Sequence, residues 1–403
     1  MNVLEQSLKQ IQELHIKGQY RKAYEQLKQL GTDLEAYDPT FKVFQTRACN
    51  IEMLAAFYTE YGSVALKLSL LDISKECVQC AFYHLKGFAN MNLFILNVLT
   101  YQRINFWLCR YLDSIHLLKR LLSVVPNSLV HYKIEIYINI ANSQRAWCFY
   151  DDAEVSINQA EQLASLLNPS YQNDLLKTNI LFLKARLYMD TDRSKYGLDF
   201  ALDCLQQREM LLPRDHPDIA IAMELVAKIN FSQNLVQEAQ KYHDQAYKMK
   251  IKAFGLHNFE TIDSINEKGR LLLSSKKEQQ AMYYFQLIGE ISQVLLGPLN
   301  QYQALSYNNL GCALFNIGKY EASIQQHSNA LFIYEKLCGL EHSKLVFSLN
   351  QMANANKLLN RPKAAFMIWK RCQTILEKNP QINSKQLNAI KSSLQGLSIQ
   401  EED

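Results

Sequence analysis

The stretch Asn308–Leu331, NNLGCALFNIGKYEASIQQHSNAL, decides the fold. It reads as two amphipathic helical segments separated by Asn316-Ile317-Gly318-Lys319, yet Gly311 sits inside the first of them. Glycine in a helix interior costs about 1 kcal/mol relative to alanine. A helix keeps it where a neighbour packs too closely for a side chain. An accident of that kind occurs once, whereas an architectural requirement recurs.

It recurs here. Gly269 stands 42 residues before Gly311, Ala227 another 42 before that, and Ala353 42 after; Ala185 and Ala141 continue the series at steps of 42 and 44. A second column, twelve residues on, holds Ala153, Gly197, Ala239, Ala281, Ser323 and Ala365. A third holds Ala160, Cys204, Ala246, Ile288, Ala330 and Cys372, small everywhere but Ile288, and a fourth holds Pro213, Gly255, Gly297 and Gly339. Four columns in one register are an internal repeat. A turn signal separates the first two columns, so each unit is a helical hairpin whose small residues mark the helix crossing. Tyr307, Leu310, Leu314, Tyr320 and Leu331 are placed to fill the space between hairpins.

The columns resemble the tetratricopeptide repeat, which sets small residues in both helices of a hairpin. Ser306–His342, with NNLG, GKYEA and EKLCGLEH, is similar to the 42-residue repeat of the kinesin light chain group. The resemblance covers Thr178 to about Lys378, with repeats starting near Thr178, Ala220, Ile262, Ala304 and Val346, and Ile134–Pro169 is a fair match. It implies an all-α fold, a right-handed α-solenoid of stacked antiparallel helix pairs. Three regions are expected: divergent repeats over 1–133, the array over 134–380, and a helix end with a loose tail over 381–403. About eight or nine hairpins fill the chain. In the first region Gly18–Ala23 reads as an inter-helix turn, Tyr111–Pro126 as a second helix with Ser114 in place of alanine, and Gly62 as a turn. The last helix is expected to end near Ser393.

Composition agrees. Thirteen glycines and eight prolines in 403 residues leave few tight turns, and 48% hydrophobic residues supply a sizeable core. A net charge of +4 argues against a nucleic-acid binder. The N-terminal residues lack the apolar run of a secretory signal, and Phe88–Cys109 is too interrupted by Asn, Gln and Arg to span a membrane. Nine scattered cysteines suit a reducing compartment. Cys77 and Cys80, with His84 nearby, form one CxxC without a second pair, which reads as buried cysteines on a helix face rather than zinc ligands.

No phosphate loop, HExxH or nucleophile elbow occurs, so no enzyme activity, metal or cofactor is expected. His216 and His342 fall in inter-repeat loops and read as loop-closing residues; Asp215 beside His216 makes a dyad with no nucleophile. Trp107, Trp147 and Trp369 read as packing residues. The informative column lies one position after the first small residue: Asn142, Arg186, Lys228, Arg270, Cys312 and Asn354. Around it fall Asn139, Arg145, Asn266, Asn308, Asn309, Asn350 and Lys357. Asparagine pairs with the backbone of an extended chain, and Arg and Lys select carboxylates.

The resemblance places this helix on the inner surface of the superhelix. The expected function is a non-catalytic scaffold or adaptor that holds an extended, acidic peptide segment of a protein partner in a concave groove. The co-chaperone pattern that clamps a terminal carboxylate is not reproduced, and no heptads of the kinesin light chain coiled coil precede the repeats. A permanent subunit of a ciliary or microtubule assembly is the alternative. The expected location is the cytoplasm, with cytoskeleton or cilium as its variant; neither nucleic acid nor membrane insertion is expected.

Overall fold

The computed structural model describes residues 2–37, 51–85, 90–191, 193–378 and 384–398. Among them are nineteen helices and no strand, and the first eighteen pair into nine hairpins. Hairpins 1 to 3 are α1 (Asn2–Ile16) with α2 (Tyr20–Tyr37), α3 (Ile51–Lys67) with α4 (Leu71–His84), and α5 (Met91–Trp107) with α6 (Tyr111–Val124). Hairpins 4 to 6 are α7 (Val130–Ala146) with α8 (Tyr150–Ser165), α9 (Tyr171–Asp190) with α10 (Ser194–Leu211), and α11 (Pro217–Ser232) with α12 (Val236–Phe254). Hairpins 7 to 9 are α13 (Phe259–Ser274) with α14 (Glu278–Leu296), α15 (Gln301–Asn316) with α16 (Tyr320–Cys338), and α17 (Leu345–Leu358) with α18 (Pro362–Lys378). The helix α19 (Ser384–Ser398) covers the end of hairpin 9, placing Ile390 and Leu394 against Trp369 and Ile375. It runs five residues past the expected end near Ser393.

The small columns are the hairpin contacts. Ala141, Ala185, Ala353, Ala153, Ala281, Ala365, Ala160, Cys204, Ala246, Ala330 and Cys372 are all 0% exposed. Two kinds of close approach explain them. Sixteen residues after a first-column glycine stands a ring of the second helix: a Cβ on Gly269 would fall within 3 Å of Phe285, and one on Gly311 within 3 Å of His327. Twelve residues after it, the second helix meets backbone, where Ser323 Oγ donates to the Gly311 carbonyl at 2.8 Å. The same bond joins Ser74 to the Gly62 carbonyl at 2.8 Å and Ser114 to that of Gln102 at 3.3 Å. A serine in this column therefore secures the crossing.

Those bonds fix the N-terminal register and correct the reading of Gly62. It is no turn but lies inside α3, with Cys77 and Val78 of α4 packed on it. The real turns follow another rule. Gly18, Ser69, Cys109, Cys148, Asn234, Lys276, Gly318 and Asn360 each adopt a positive φ between 55° and 78° just before a second helix. At Gly318 the flanking bonds run from Gly318 N to Phe315 O and from Lys319 N to Leu314 O. That is the Schellman closure of a helix C-terminus. The pair at Cys148 and Phe149 repeats it onto Arg145 and Gln144, so a non-glycine residue is held there against its own preference.

Each later unit ends on a positive-φ glycine, Gly255, Gly297 or Gly339, and restarts on a helix cap. The caps form a further 42-residue column of His216, Asn258, Asn300 and His342, each accepting the backbone N–H two residues on at 2.9–3.1 Å. The two histidines thus close loops, as expected from their position, and Asp215 pairs with Lys252 at 2.7 Å rather than with His216.

The solenoid closes on itself. The turn of hairpin 1 meets the loop before hairpin 6: Tyr20 stacks on Phe254 at 5.6 Å, and a Cβ on Gly18 would strike Pro217. The turn of hairpin 2 meets hairpin 7 through Asn258 Nδ2 to Lys67 O at 2.9 Å and Phe259 N to Ser69 Oγ at 3.0 Å. Hairpin 3 meets hairpin 8 through Tyr111 Oη to Gln301 Oε1 at 2.6 Å, and hairpin 4 meets hairpin 9 through Trp147 and His342 at 4.4 Å. Residues of α3, α4 and α5 consequently share one core with hairpin 7.

Candidate peptide-binding cavity

Closure turns the inner surface into a cavity of about 960 Å³. The first helices of hairpins 2 to 9 line it, because the second helices pack on the outside of each hairpin. Its volume lies at the upper end of the roughly 300–1,000 Å³ range of ligand sites. Of the expected groove residues, Asn139, Asn142, Arg145, Arg186, Lys228, Asn266, Arg270, Asn308 and Asn309 line this one space. Asn350, Asn354 and Lys357 do not: Asn350 accepts the Trp369 indole N–H at 2.9 Å, and Lys357 is exposed. Of hairpin 9 only the start of its first helix, at Lys344 and Phe347, reaches the wall, so the amides farther along that helix fall outside.

The cation column is not a bare stripe. Lys228 pairs with Asp263 at 3.3 Å, and Arg270 lies 3.1 Å from Glu267 and over the Phe231 ring. Arg145 pairs with Asp190 of the next first helix. Asn308 is committed to structure, its Oδ1 facing His327 Nδ1 and Ser348 Oγ at 2.9 Å each, while Asn309 Nδ2 donates to Asn266 Oδ1 at 2.6 Å. The carboxylates are the residues that sequence reasoning missed. They sit on first helices; Asp190 and Asp263 lie one repeat from Arg145 and Lys228, so no local spacing marks those pairs, whereas Glu267 stands three residues before Arg270 on the same helix.

Arg186 differs. Among the described residues it makes no hydrogen bond or ion pair, and its guanidinium rests only over the Phe182 ring at 5.6 Å. Burial, with the nearby Arg145 charge, lowers its pKa to about 10, so it remains a cation at neutral pH. Lys67 and Lys344 likewise lie over tyrosine rings, of Tyr20 and Tyr111, without a carboxylate. Arg208 spends its guanidinium on the Asp218 carbonyl, Asn179 and Thr178. Nine Lys and Arg side chains face six Asp and Glu across the wall, an excess of three positive charges.

The acidic members are held ionised. Burial alone raises the Glu224 carboxyl, but Lys250, His243 and Lys228 outweigh it and bring it down to about 2. Ser264 donates to Glu224 at 2.6 Å. Asp263 is also depressed, since Lys228, Lys250 and Arg186 overcome its burial. Lys228 is raised by Asp263, Glu267 and Glu224 against burial. At neutral pH the cavity is thus a fixed array of charges and amides among aromatic rings. It can hold an extended chain, with amides for the backbone and unpaired cations for carboxylates. Among the described residues no group of three His, Cys, Asp or Glu side chains is placed to hold a metal ion. Cys77 is instead packed in the core of hairpin 2, its thiol pushed up to about 12 by burial. No helix among the described residues is long and apolar enough to cross a membrane.

Residues 303–343 match the tetratricopeptide repeat family, and the 42-residue recurrence of caps and turns extends that unit along the chain. The fold is similar to the structure of a Rap protein complexed with competence and sporulation factor, at 13% identity, 87% of this chain, 99% of that chain and a TM-score of 0.57. It is similar to the apo quorum sensor NprR from B. thuringiensis at 14% identity, 93% of this chain, 99% of that one and a TM-score of 0.55. NprR in complex with its cognate peptide NprX follows at 12% identity, 73% and 82% coverage, and a TM-score of 0.52. At these identities the likeness concerns the fold alone. No curated protein sequence matches the chain. The fold is an all-α solenoid of helix pairs like that of these tetratricopeptide-like structures.

Proposed function

We propose that this protein is a non-catalytic interaction scaffold that holds an extended, acidic peptide segment inside the closed cavity. The observation that carries the reading is Arg186, a cation on the inner wall that makes no ion pair or hydrogen bond among the described residues, in a space with three more positive than negative side chains. A charge withdrawn from water needs a partner, and a ligand carboxylate supplies one. The amides of Asn139, Asn142 and Asn309 stand along the same wall for the backbone of the chain. Two proteins of similar fold are described in complexes, a Rap protein with competence and sporulation factor and NprR with its cognate peptide, and the latter supports a peptide rather than a folded surface as occupant.

Arg186→Gln tests this without breaking an internal ion pair. Short peptides differing only in acidic content are titrated by calorimetry against the full chain. Acidic members bind, and the variant loses about 1.5–3 kcal/mol, the worth of a hydrogen bond to a charged group, or roughly ten- to hundred-fold in affinity. The helical circular dichroism is unchanged. Equal affinity of variant and parent for every peptide, or equal binding of acidic and basic peptides, rejects the reading.

A further inference from the structure

The contacts that close the cavity repeat with the array, and the chemistry of the outer rungs differs from that of the inner ones. Each rung joins a hairpin turn to the start of a first helix five hairpins later. On two rungs the cap is asparagine or its neighbour: Asn258 reaches Lys67 O, and Gln301, beside Asn300, takes the Tyr111 hydroxyl. On the outer two the cap is histidine. His216, 4% exposed, accepts Asp218 N–H at Nδ1 and sets Nε2 3.0 Å from the Ile16 carbonyl. His342 accepts Lys344 N–H at Nδ1, packs its ring 4.4 Å from Trp147 and makes a backbone hydrogen bond to that residue. One ring nitrogen accepts while the other donates. Only a neutral imidazole does both, because an imidazolium has no acceptor left.

We propose that this clasp is a proton-released gate: acidification breaks the His216 and His342 rungs, the turns of hairpins 1 and 4 lift from α11 and α17, and the cavity opens along the seam between the two superhelical turns. Burial favours the neutral rings, while the charges around His216 act in both directions. Around His216 stand Asp218 of α11, whose Oδ2 is 3.9 Å away, Lys67 at the end of α3 and Arg208 of α10; on α1, His15 is occupied by Glu60 of α3 at 2.5 Å. Around His342 the facing charge is Lys344, the residue before α17. Burial lowers both histidines, His342 to about 4 with Lys344 adding to the effect, and His216 with Lys67 and Arg208 opposing Asp218.

A folded pKa below the ordinary value means that the closed form binds fewer protons than the open one. The clasp is therefore fully stable above about pH 6.5 and weakens as pH falls toward the lowered values. Asp218, Glu224 and Asp263 titrate below the usual carboxylate range, so they stay charged through that window. That opening exchanges a peptide rests on the function proposed above; the opening itself does not.

Small-angle scattering and tryptophan emission of the full chain, followed from about pH 7.5 to pH 4.5, test the gate across the histidine window. Trp107 stacks on Phe259 and Trp147 meets His342 edge-on, so both report the seam. The expected result is a larger radius of gyration and red-shifted emission at the acid end with the helical dichroism retained. His216→Asn with His342→Asn, the residue type of the intervening rungs, should stay compact. Were that double variant unfolded at neutral pH, each single variant is expected to move the midpoint to lower pH. An unchanged wild-type radius, a variant that expands at the wild-type pH, or loss of helical signal together with expansion overturns the gate. Each of these results leaves the peptide reading standing, since no peptide is present.

Discussion

Replacing Gly269 by alanine sets two effects against each other with opposite signs. Alanine gains up to about 1 kcal/mol of helix propensity over glycine. Against this, a Cβ at 269 lies 2.8 Å from Phe285 Cδ1, 2.9 Å from Cζ and closer still to Cε1. The Phe285 ring is 0% exposed, and its carbonyl is tied to the next hairpin by Ser306 Oγ at 2.6 Å. Neither ring nor backbone has room to retreat. Overpacking costs about 1–3 kcal/mol, and against a fully buried ring the upper part, about 2–3, applies, so Gly269→Ala is expected to be destabilised by roughly 1–2 kcal/mol after the propensity gain. Gly396 of α19 is the control: it is exposed with nothing within 4 Å of a Cβ, and alanine there should be neutral or stabilising. Urea unfolding followed by dichroism gives the free energies, and hydrogen exchange of α13 and α14 locates the loss. Phe285→Leu in the Gly269→Ala background should recover part of it, a coupling of about 0.5 kcal/mol or more. A Gly269→Ala variant as stable as the parent, or an additive cycle, would refute the account of the small column.

Two further outcomes follow from burial. Ala281→Arg, at a 0% exposed crossing, should unfold hairpin 7 and lower the thermal midpoint by several degrees, since an unpaired charge and excess volume enter together. A wild-type melting profile would contradict the register. Glu224, held at about 2, contributes stability that is complete above its ordinary value near 4.5 and is lost as pH falls to about 2. Unfolding free energy should drop by up to about 3 kcal/mol over that range, and Glu224→Gln should flatten the slope while costing about 3 kcal/mol at neutral pH, where Lys250 is left without its buried anion. An identical slope in the variant would remove Glu224 from the acid response.

The register of the later hairpins was legible because glycine and alanine recur at one fixed step. That of the early hairpins was not, because the step changes: Gly62, Gln102 and Ala141 stand 40 and 39 residues apart. The cause lies in helix length, as α4 and α6 have 14 residues where α12, α14 and α16 have 19. Turn conformation was hidden for another reason. Ser69, Cys109, Cys148 and Lys276 carry positive φ at positions where glycine is the usual signal, since the paired Schellman bonds impose the conformation. Nine of twelve proposed groove residues were found on the cavity wall from one column argument. Their ion partners Asp190 and Asp263 were not found, since pairing with the neighbouring repeat depends on how first helices lie side by side, whereas Glu267, three residues before Arg270 on one helix, was within reach of a local reading.

The closure changes what kind of solenoid this is. In an open array stability is close to a sum of nearest-neighbour terms, so the end repeats fray first. Here hairpins 1 to 4 also bear on hairpins 6 to 9, through contacts between residues about two hundred positions apart. Those contacts are aromatic packing, caps and the Arg21 guanidinium on the Phe254 carbonyl, whereas Arg186 lies on the inner wall. Salt should accordingly weaken a ligand held by Arg186 and leave the seam nearly untouched, so affinity and closure are set by different forces. A protein that separates them can bind through charge and open through the neutral rungs, and the two histidine caps stand where those rungs end the clasp.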